Sequence, residues 1–330
     1  MANTLLTGGR GRSPSGPGVR LLAGVAVLLT VVSATAWVMH RDRGAVGAQG
    51  VVFADAVDAE LAAGALDVAP DRSRDNEVHV DRMPVPPANL RTRFETTGDL
   101  YAFAQSLEPA LREHDADAIW MVSRVYDYCS SFATAPAAYD RDTGVIRDMD
   151  MRGSAAMVAA RERVARRCAR FVPQDELTPR MVVLKRTEAA EAGSLAAEAA
   201  LMSSGQPLKT TPEYKRDLVE RVQRSGDPEA YSALSPGMGI AASGDASLTD
   251  RIAGTQMSEL AWQLAACRLG QDCGPDSSLM TSYCANGGIC SRDPSQDFER
   301  FVFDAAVPRQ SADVLNEMIV SLIGGKRAEK

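Results

Sequence analysis

The stretch from Leu21 to Met39 constrains this chain most, because it holds about 19 consecutive residues without a charge. A helix of that length, at about 1.5 Å per residue, spans on the order of 28 Å, close to the hydrocarbon thickness of a bilayer. Three arginines lie in residues 1–20, so the positive-inside bias predicts a cytoplasmic N-terminus and translocation of the remainder. The sequence therefore predicts a single-pass inner-membrane protein with its C-terminal domain in the periplasm.

Two interpretations of residues 21–39 remain open. The favoured one is an uncleaved signal-anchor, a transmembrane helix with Trp37 at the interface. The other is a signal peptide removed at Ala34-Thr35-Ala36, which would leave a soluble periplasmic protein. Both interpretations place everything after Arg43 outside the cytoplasm.

The exported part divides into a spacer and a helical domain. Residues 44–95 are predicted to be a spacer, because they are polar and then proline-rich around Pro84 and Pro86. Residues 96–330 are rich in alanine, and aromatic residues make up only 5% of the chain. We therefore expect an all-α fold, either an irregular helical bundle or a short α-solenoid, stapled by disulfides.

Local signals predict several helix boundaries in this domain. Thr178-Pro179, Thr211-Pro212 and Asp227-Pro228 each combine an N-cap residue with proline at the first helical position. Further helices are expected over about 154–171, 195–203, 248–269, 296–303 and 311–323. The residues from Pro136 to Asp148 are expected to form a connecting loop.

Three phrases of the sequence show weak self-similarity. In each, two turn-forming residues precede an alanine that allows close helix packing. They are His114-Asp115 before Ala118, Gly193-Ser194 before Ala197, and Gly226-Asp227 before Ala230. The segments EAAEAGSLAAEAAL and RVQRSGDPEAYSAL resemble SEL-one-type repeats, a tetratricopeptide-related helical family, over about 98–129 and 181–237. That resemblance implies a concave protein-binding surface. A plain helical bundle is the alternative.

All six cysteines follow the apolar stretch, and their even number predicts disulfides in an oxidising compartment. They are Cys129, Cys168, Cys267, Cys273, Cys284 and Cys290. We expect Cys129 to pair with Cys168, and within the cysteine-rich hairpin at 267–290 we expect Cys267–Cys284 and Cys273–Cys290. A zinc site is disfavoured, because the ligand gaps are five residues long and no histidine lies near.

The sequence carries no catalytic motif, so the catalytic residues are unknown and we expect no cofactor and no metal. Three carboxylates, Glu188, Glu191 and Glu198, could form an acid–base pair of the glycosidase kind, although a solvated helix face is the simpler interpretation. His114, at a helix boundary, is interpreted as a partner of the helix dipole.

One basic cluster stands out, and its members lie on a single predicted helix: Arg161, Arg163, Arg166, Arg167 and Arg170. A charged outer helix face is the favoured interpretation, and contact with anionic lipid or an acidic partner is the alternative. Trp120 and Trp262 are expected in the core.

The net charge of the chain argues against nucleic acid as a partner. The whole chain carries a formal charge of −7, and the part after residue 43 about −11, so nucleic-acid binding is not expected. We expect a helical scaffold or binding protein that acts on a protein partner in the cell envelope, with residues 21–39 in the membrane. A cell-wall glycan hydrolase and a purely structural envelope protein are the alternatives.

Overall fold

The computed structural model describes residues 87–324, with side chains from Leu90 onward. Within this range the regular structure is entirely helical. The first seven α-helices are α1 Pro87–Thr96, α2 Leu100–Ser106, α3 Glu108–Arg112, α4 Ala116–Ala133, α5 Pro136–Asp148, α6 Ser154–Cys168 and α7 Pro179–Glu191. The next seven are α8 Leu195–Ser203, α9 Pro212–Ser225, α10 Pro228–Met238, α11 Gln256–Arg268, α12 Ser278–Gly287, α13 Phe298–Ala305 and α14 Ala312–Gly324. The all-α class predicted from composition is confirmed for these residues.

The helices pack around a continuous core that small side chains make compact. α4 packs against α7, α8 against α10, α10 against α11, α11 against α14, and α12 against α6. Helix α8 shows why close approach is possible, because it buries four alanines and Leu201. Trp262, expected in the core, is fully buried and donates its indole N–H to the Ile252 carbonyl at 2.9 Å.

The three helix starts read from the sequence are confirmed. The Thr178 hydroxyl accepts a hydrogen bond from the Met181 amide at the start of α7. Thr211 and Asp227 cap α9 and α10 in the same way, each followed by proline. Because the N-cap residue and the proline act within one helical turn, they predict a helix start without knowledge of tertiary contacts.

The three self-similar phrases fold as three similar hairpin turns. In each, a residue with positive φ is followed by an N-cap whose side chain accepts from an amide in the next helix, and the alanine of that helix is buried. The turns are His114-Asp115 before α4, Gly193-Ser194 before α8, and Gly226-Asp227 before α10. The helix pairs α3–α4, α7–α8 and α9–α10 are therefore joined by turns of the same kind.

Three expected boundaries were wrong. Residues 136–148 are not a loop but helix α5, which Arg161 of α6 stabilises by donating to the Tyr139 carbonyl and the Thr143 hydroxyl. The helix expected over 248–269 begins only at Gln256, after Thr255 caps it. The helix α1 begins at Pro87, inside the predicted spacer 44–95, and its Leu90 and Phe94 lie in the core.

All six cysteines form disulfides, but two predicted pairings were wrong. Cys129–Cys168 joins α4 to α6 as expected. The hairpin instead holds Cys267–Cys273 and Cys284–Cys290, each across a sequence separation of 6. Both helices, α11 and α12, end in a tight turn that carries the chain back over its last residues, so each cysteine meets its nearest neighbour in sequence.

The arginine cluster is a solvated outer face only at Arg166 and Arg170, which are exposed. Four of its five members donate to other elements: Arg161 to α5, Arg163 to Thr281 and Asp276, Arg167 to the carbonyls of Phe94 and Thr97, and Arg170 to Asp99. Arg167 is buried, with its guanidinium 4.8 Å from the Tyr128 ring centroid. The cluster therefore fastens α6 to its neighbours.

The contact between α8 and α10 is tight at Gly237, and two alanine substitutions test this. A Cβ at Gly237 would lie 2.8 Å from Oγ and 3.0 Å from Cα of Ser203. Gly237→Ala is therefore expected to lower the free energy of unfolding by about 1–2 kcal/mol in urea denaturation. The matched control is Gly144→Ala in α5, where a Cβ meets nothing within 4 Å. That change is expected to raise stability by up to about 1 kcal/mol, because alanine favours helix. Equal effects at the two positions would contradict this view of the contact.

The predicted membrane segment 21–39, with its cytoplasmic lead 1–20, lies outside the described residues. Among the helices between Pro87 and Gly324, none is long and apolar enough to cross a bilayer.

Candidate binding cleft

A cleft with a volume of about 440 Å³ opens between the second helices of the three hairpins and α12. Trp120 and Arg124 of α4, Ser203 of α8 and Ser232 of α10 line one side. Helix α12 lines the other side, with Ser282 among its residues. This volume falls within the range of sites that hold a small ligand or a short chain segment.

Arg124 lies at the centre of a buried polar network beneath the cleft. Its Nη1 donates to Glu229 Oε1 at 2.6 Å and its Nη2 to Ser278 Oγ at 3.1 Å. Glu95 of α1 lies 3.5 Å from the same guanidinium and accepts both the amide and the hydroxyl of Ser278. The guanidinium also stacks over Phe94, 4.2 Å from the ring centroid. One cation thus ties α1, α4, α10 and α12 together.

Glu229 supplies a nearly inaccessible carboxyl to this network, with 5% of the residue's surface exposed. Its second oxygen accepts the indole N–H of Trp120 at 3.2 Å. Burial raises the pKa of Glu229 above its ordinary value, and the neighbouring Arg124 guanidinium opposes that rise. Both oxygens of this carboxyl are therefore held by donors from α4.

Three buried polar atoms of the cleft lining have no hydrogen-bond partner among the described residues. One is Nε of Arg186, whose Nη2 donates to Asp127 at 2.7 Å. The others are the Tyr128 hydroxyl and Oε1 of Gln271, a residue with 8% of its surface exposed. Gln271 lies in the short loop that Cys267–Cys273 closes, so this disulfide holds it against the cleft. Buried polar atoms without a partner lower the free energy of unfolding.

The three carboxylates singled out in the sequence do not form a catalytic pair. Glu188 is paired with Lys185 at 2.7 Å, and Glu191 is exposed. Glu198 accepts two hydrogen bonds from Arg221, at 2.7 and 2.6 Å. Burial raises the pKa of Glu198, but the hydrogen bonds and charge of Arg221, together with the Tyr214 hydroxyl, lower it overall. None of the three lines the cleft.

The structure also shows where His114 and Trp120 lie. His114 is exposed and adopts φ 57° at the turn before α4, where it takes the place glycine holds in the other two hairpins. Trp120 is buried as expected, but it also borders the cleft and holds Glu229. No cluster of potential metal ligands occurs in the described part of the chain.

Sequence reasoning missed Glu229, Arg124 and Gln271. Glu229 stands in Asp227-Pro228-Glu229, where an acidic residue in the first turn is ordinary helix-start chemistry. Arg124 and Gln271 belong to no motif, and the hydrogen-bond partners of Arg124 lie more than a hundred positions away. The one usable signal was the pairing of a helix-start glutamate with an arginine inside an apolar helix.

No family model, no curated protein and no solved structure matches this chain.

Proposed function

We propose that this chain is a helical binding protein of the cell envelope that acts through protein–protein interaction, and that the cleft receives an extended polar segment of its partner. One observation carries the proposal: the second helices of three hairpins face one cleft whose wall is made of small residues, among them Ala200, Ser203 and Ser232. The resemblance to SEL-one-type repeats supports it, since such repeats offer a concave surface to proteins.

Small side chains favour a peptide as the occupant. Ala200, Ser203, Ser232 and Ala233 form part of the wall, so a chain backbone can approach the helices closely. An exposed aromatic face for stacking a sugar is absent from the described lining, because Trp120 is 5% and Tyr128 is 7% exposed.

Selection of peptides tests the proposal. The full-length protein is expected to enrich related sequences from a random displayed heptapeptide library. Ser232→Trp, which fills the cleft from α10, is expected to lose them. The matched control is Ser131→Trp, because Ser131 is exposed on the same helix as Arg124 but outside the cleft. No enrichment, or enrichment that survives Ser232→Trp, would contradict the proposal.

Glycan hydrolysis is the second candidate, because Glu229 is a buried carboxyl beside a cleft with a raised pKa, as a general acid requires. The hydrogen bonds from Arg124 and Trp120 to both its oxygens argue against proton delivery. Release of reducing ends from peptidoglycan by the wild type, lost in Glu229→Gln, would establish this alternative instead.

The periplasmic setting is part of the same proposal. Three disulfides fit an oxidising compartment, and residues 21–39 have the length to anchor the chain. An alkaline phosphatase fused after Lys330 is expected to be active in cells. Activity of a cytoplasmic reporter at that position would contradict the topology.

A further inference from the structure

Asp127 is the charged residue of the cleft lining that solvent reaches most. Its side chain is 58% exposed, and that of its partner Arg186 is 17% exposed. The side chains of Arg124 and Glu229 are 15% and 6% exposed. The charge that a ligand in the cleft can contact directly is therefore a carboxylate, and its sign decides which ligands are attracted.

One oxygen of this carboxylate is left for a ligand. Oδ2 of Asp127 accepts a hydrogen bond from Arg186 Nη2 at 2.7 Å, whereas Oδ1 accepts none within the described part of the chain. An ionised carboxylate can accept about four hydrogen bonds, so the contact with Arg186 does not saturate it. Arg186 lies on α7 and Asp127 on α4, so their contact holds the carboxylate in place before a ligand binds. Such fixing limits the entropy lost on binding.

The charges around the cleft also favour a cation. Two guanidiniums, those of Arg124 and Arg186, face three carboxylates, those of Glu95, Asp127 and Glu229. Counted by formal charge, this network has one more negative than positive group. The whole chain is acidic as well, with a formal charge of −7. Both charges attract a cationic ligand and repel an anionic one.

A peptide supplies a cation through lysine or arginine, whose N–H groups can donate to the free oxygen. We propose, building on the proposed function, that the segment received by the cleft carries a basic side chain that pairs with Asp127. Neutral residues such as Ser232, Ala233 and Ser282 line the cleft beside it and do not select by charge. An ion pair at so exposed a carboxylate changes affinity about threefold to fivefold, so Asp127 determines specificity more than it determines affinity.

The test uses a peptide that the full-length protein selects and that Ser232→Trp no longer binds. The selected sequences are expected to share a lysine or an arginine at one position. The peptide is synthesised with an acetylated amino terminus, once with this residue and once with a neutral isostere, norleucine or citrulline, and calorimetry measures both affinities. The wild type is expected to bind the neutral peptide about threefold to fivefold more weakly. Asp127→Asn is expected to bind both peptides equally, at the weaker affinity.

Two further variants separate the charge of Asp127 from other effects. Asp127→Glu keeps a carboxylate and is expected to keep the preference for the basic peptide. Asp140→Asn removes an exposed carboxylate of α5 outside the cleft and is expected to bind as the wild type does. The preference of the wild type is expected to shrink as sodium chloride is added, because salt screens an exposed ion pair.

The outcomes distinguish this inference from the proposed function. If cleft-dependent peptides are found but share no basic residue, or if Asp127→Asn keeps the preference, selection by Asp127 is wrong and the proposed function stands. If no cleft-dependent peptide is found, the proposed function is wrong and the inference, which rests on it, is wrong too.

Discussion

Arg124→Met is expected to lower the free energy of unfolding by about 3–5 kcal/mol at pH 8, because it leaves a buried carboxylate without its cation. Glu229 is nearly inaccessible and would keep only the Trp120 N–H. Glu95 retains its two hydrogen bonds from Ser278, so the loss falls mainly on Glu229. Urea denaturation measures the effect.

The loss should shrink as the pH falls. The pKa of Glu229 is raised in the folded protein, and the Arg124→Met change removes the guanidinium that opposes this rise most. A carboxyl with a raised folded-state pKa takes up its proton in the folded state first, so folding is favoured as the pH drops towards the unfolded-state pKa. The difference between Arg124→Met and the wild type is therefore expected to be smaller at pH 5 than at pH 8.

Two controls isolate the buried charge. Arg147→Met removes an exposed ion pair with Glu162, whose side chains are 56% and 48% exposed, and is expected to cost less than about 1 kcal/mol. Arg124→Met combined with Glu229→Gln is expected to lose less than the sum of the two single changes. Equal losses for Arg124→Met and Arg147→Met would show that the network does not stabilise the fold.

Replacing Cys129 and Cys168 together by alanine is expected to cost about 4 kcal/mol, because the disulfide closes a loop with a sequence separation of 39. Both cysteines are fully buried, so the bond joins α4 to α6 inside the core. Denaturation of the oxidised protein under identical conditions gives the comparison with the wild type.

The matched change is the pair Cys284→Ala and Cys290→Ala, whose loop has a sequence separation of only 6. That change is expected to cost about 2 kcal/mol, since a shorter loop constrains the unfolded chain less. A larger loss of stability from this pair than from Cys129 and Cys168 would contradict the expectation that Cys129–Cys168 is the more stabilising disulfide.

Local chemistry explains what the sequence predicted correctly. Thr178-Pro179, Thr211-Pro212 and Asp227-Pro228 start helices because the cap and the proline act within one turn. The Cys129–Cys168 pairing was predictable because the other four cysteines are grouped in one short segment. Neither inference needed knowledge of distant contacts.

Distant contacts explain what it did not predict. Arg167 looks like an outer-face residue until α1 brings two backbone carbonyls to it. Helix α5 contains Gly144 and Thr143, which weaken its helical signal, and it depends on Arg161 of α6. The cleft is lined by residues of α4, α7, α10 and the loop at Gln271, so no single segment of the sequence predicts it.

Crosslinking in living cells tests the binding function most directly. A photoreactive amino acid at Ser232 of the full-length protein should form an adduct that maps to one segment of one envelope protein, and the selected peptide should compete with it. The same amino acid at Ser131 should form no such adduct. If Ser232 yields no adduct, or if both positions yield the same products, then the cleft is not where this protein meets a partner.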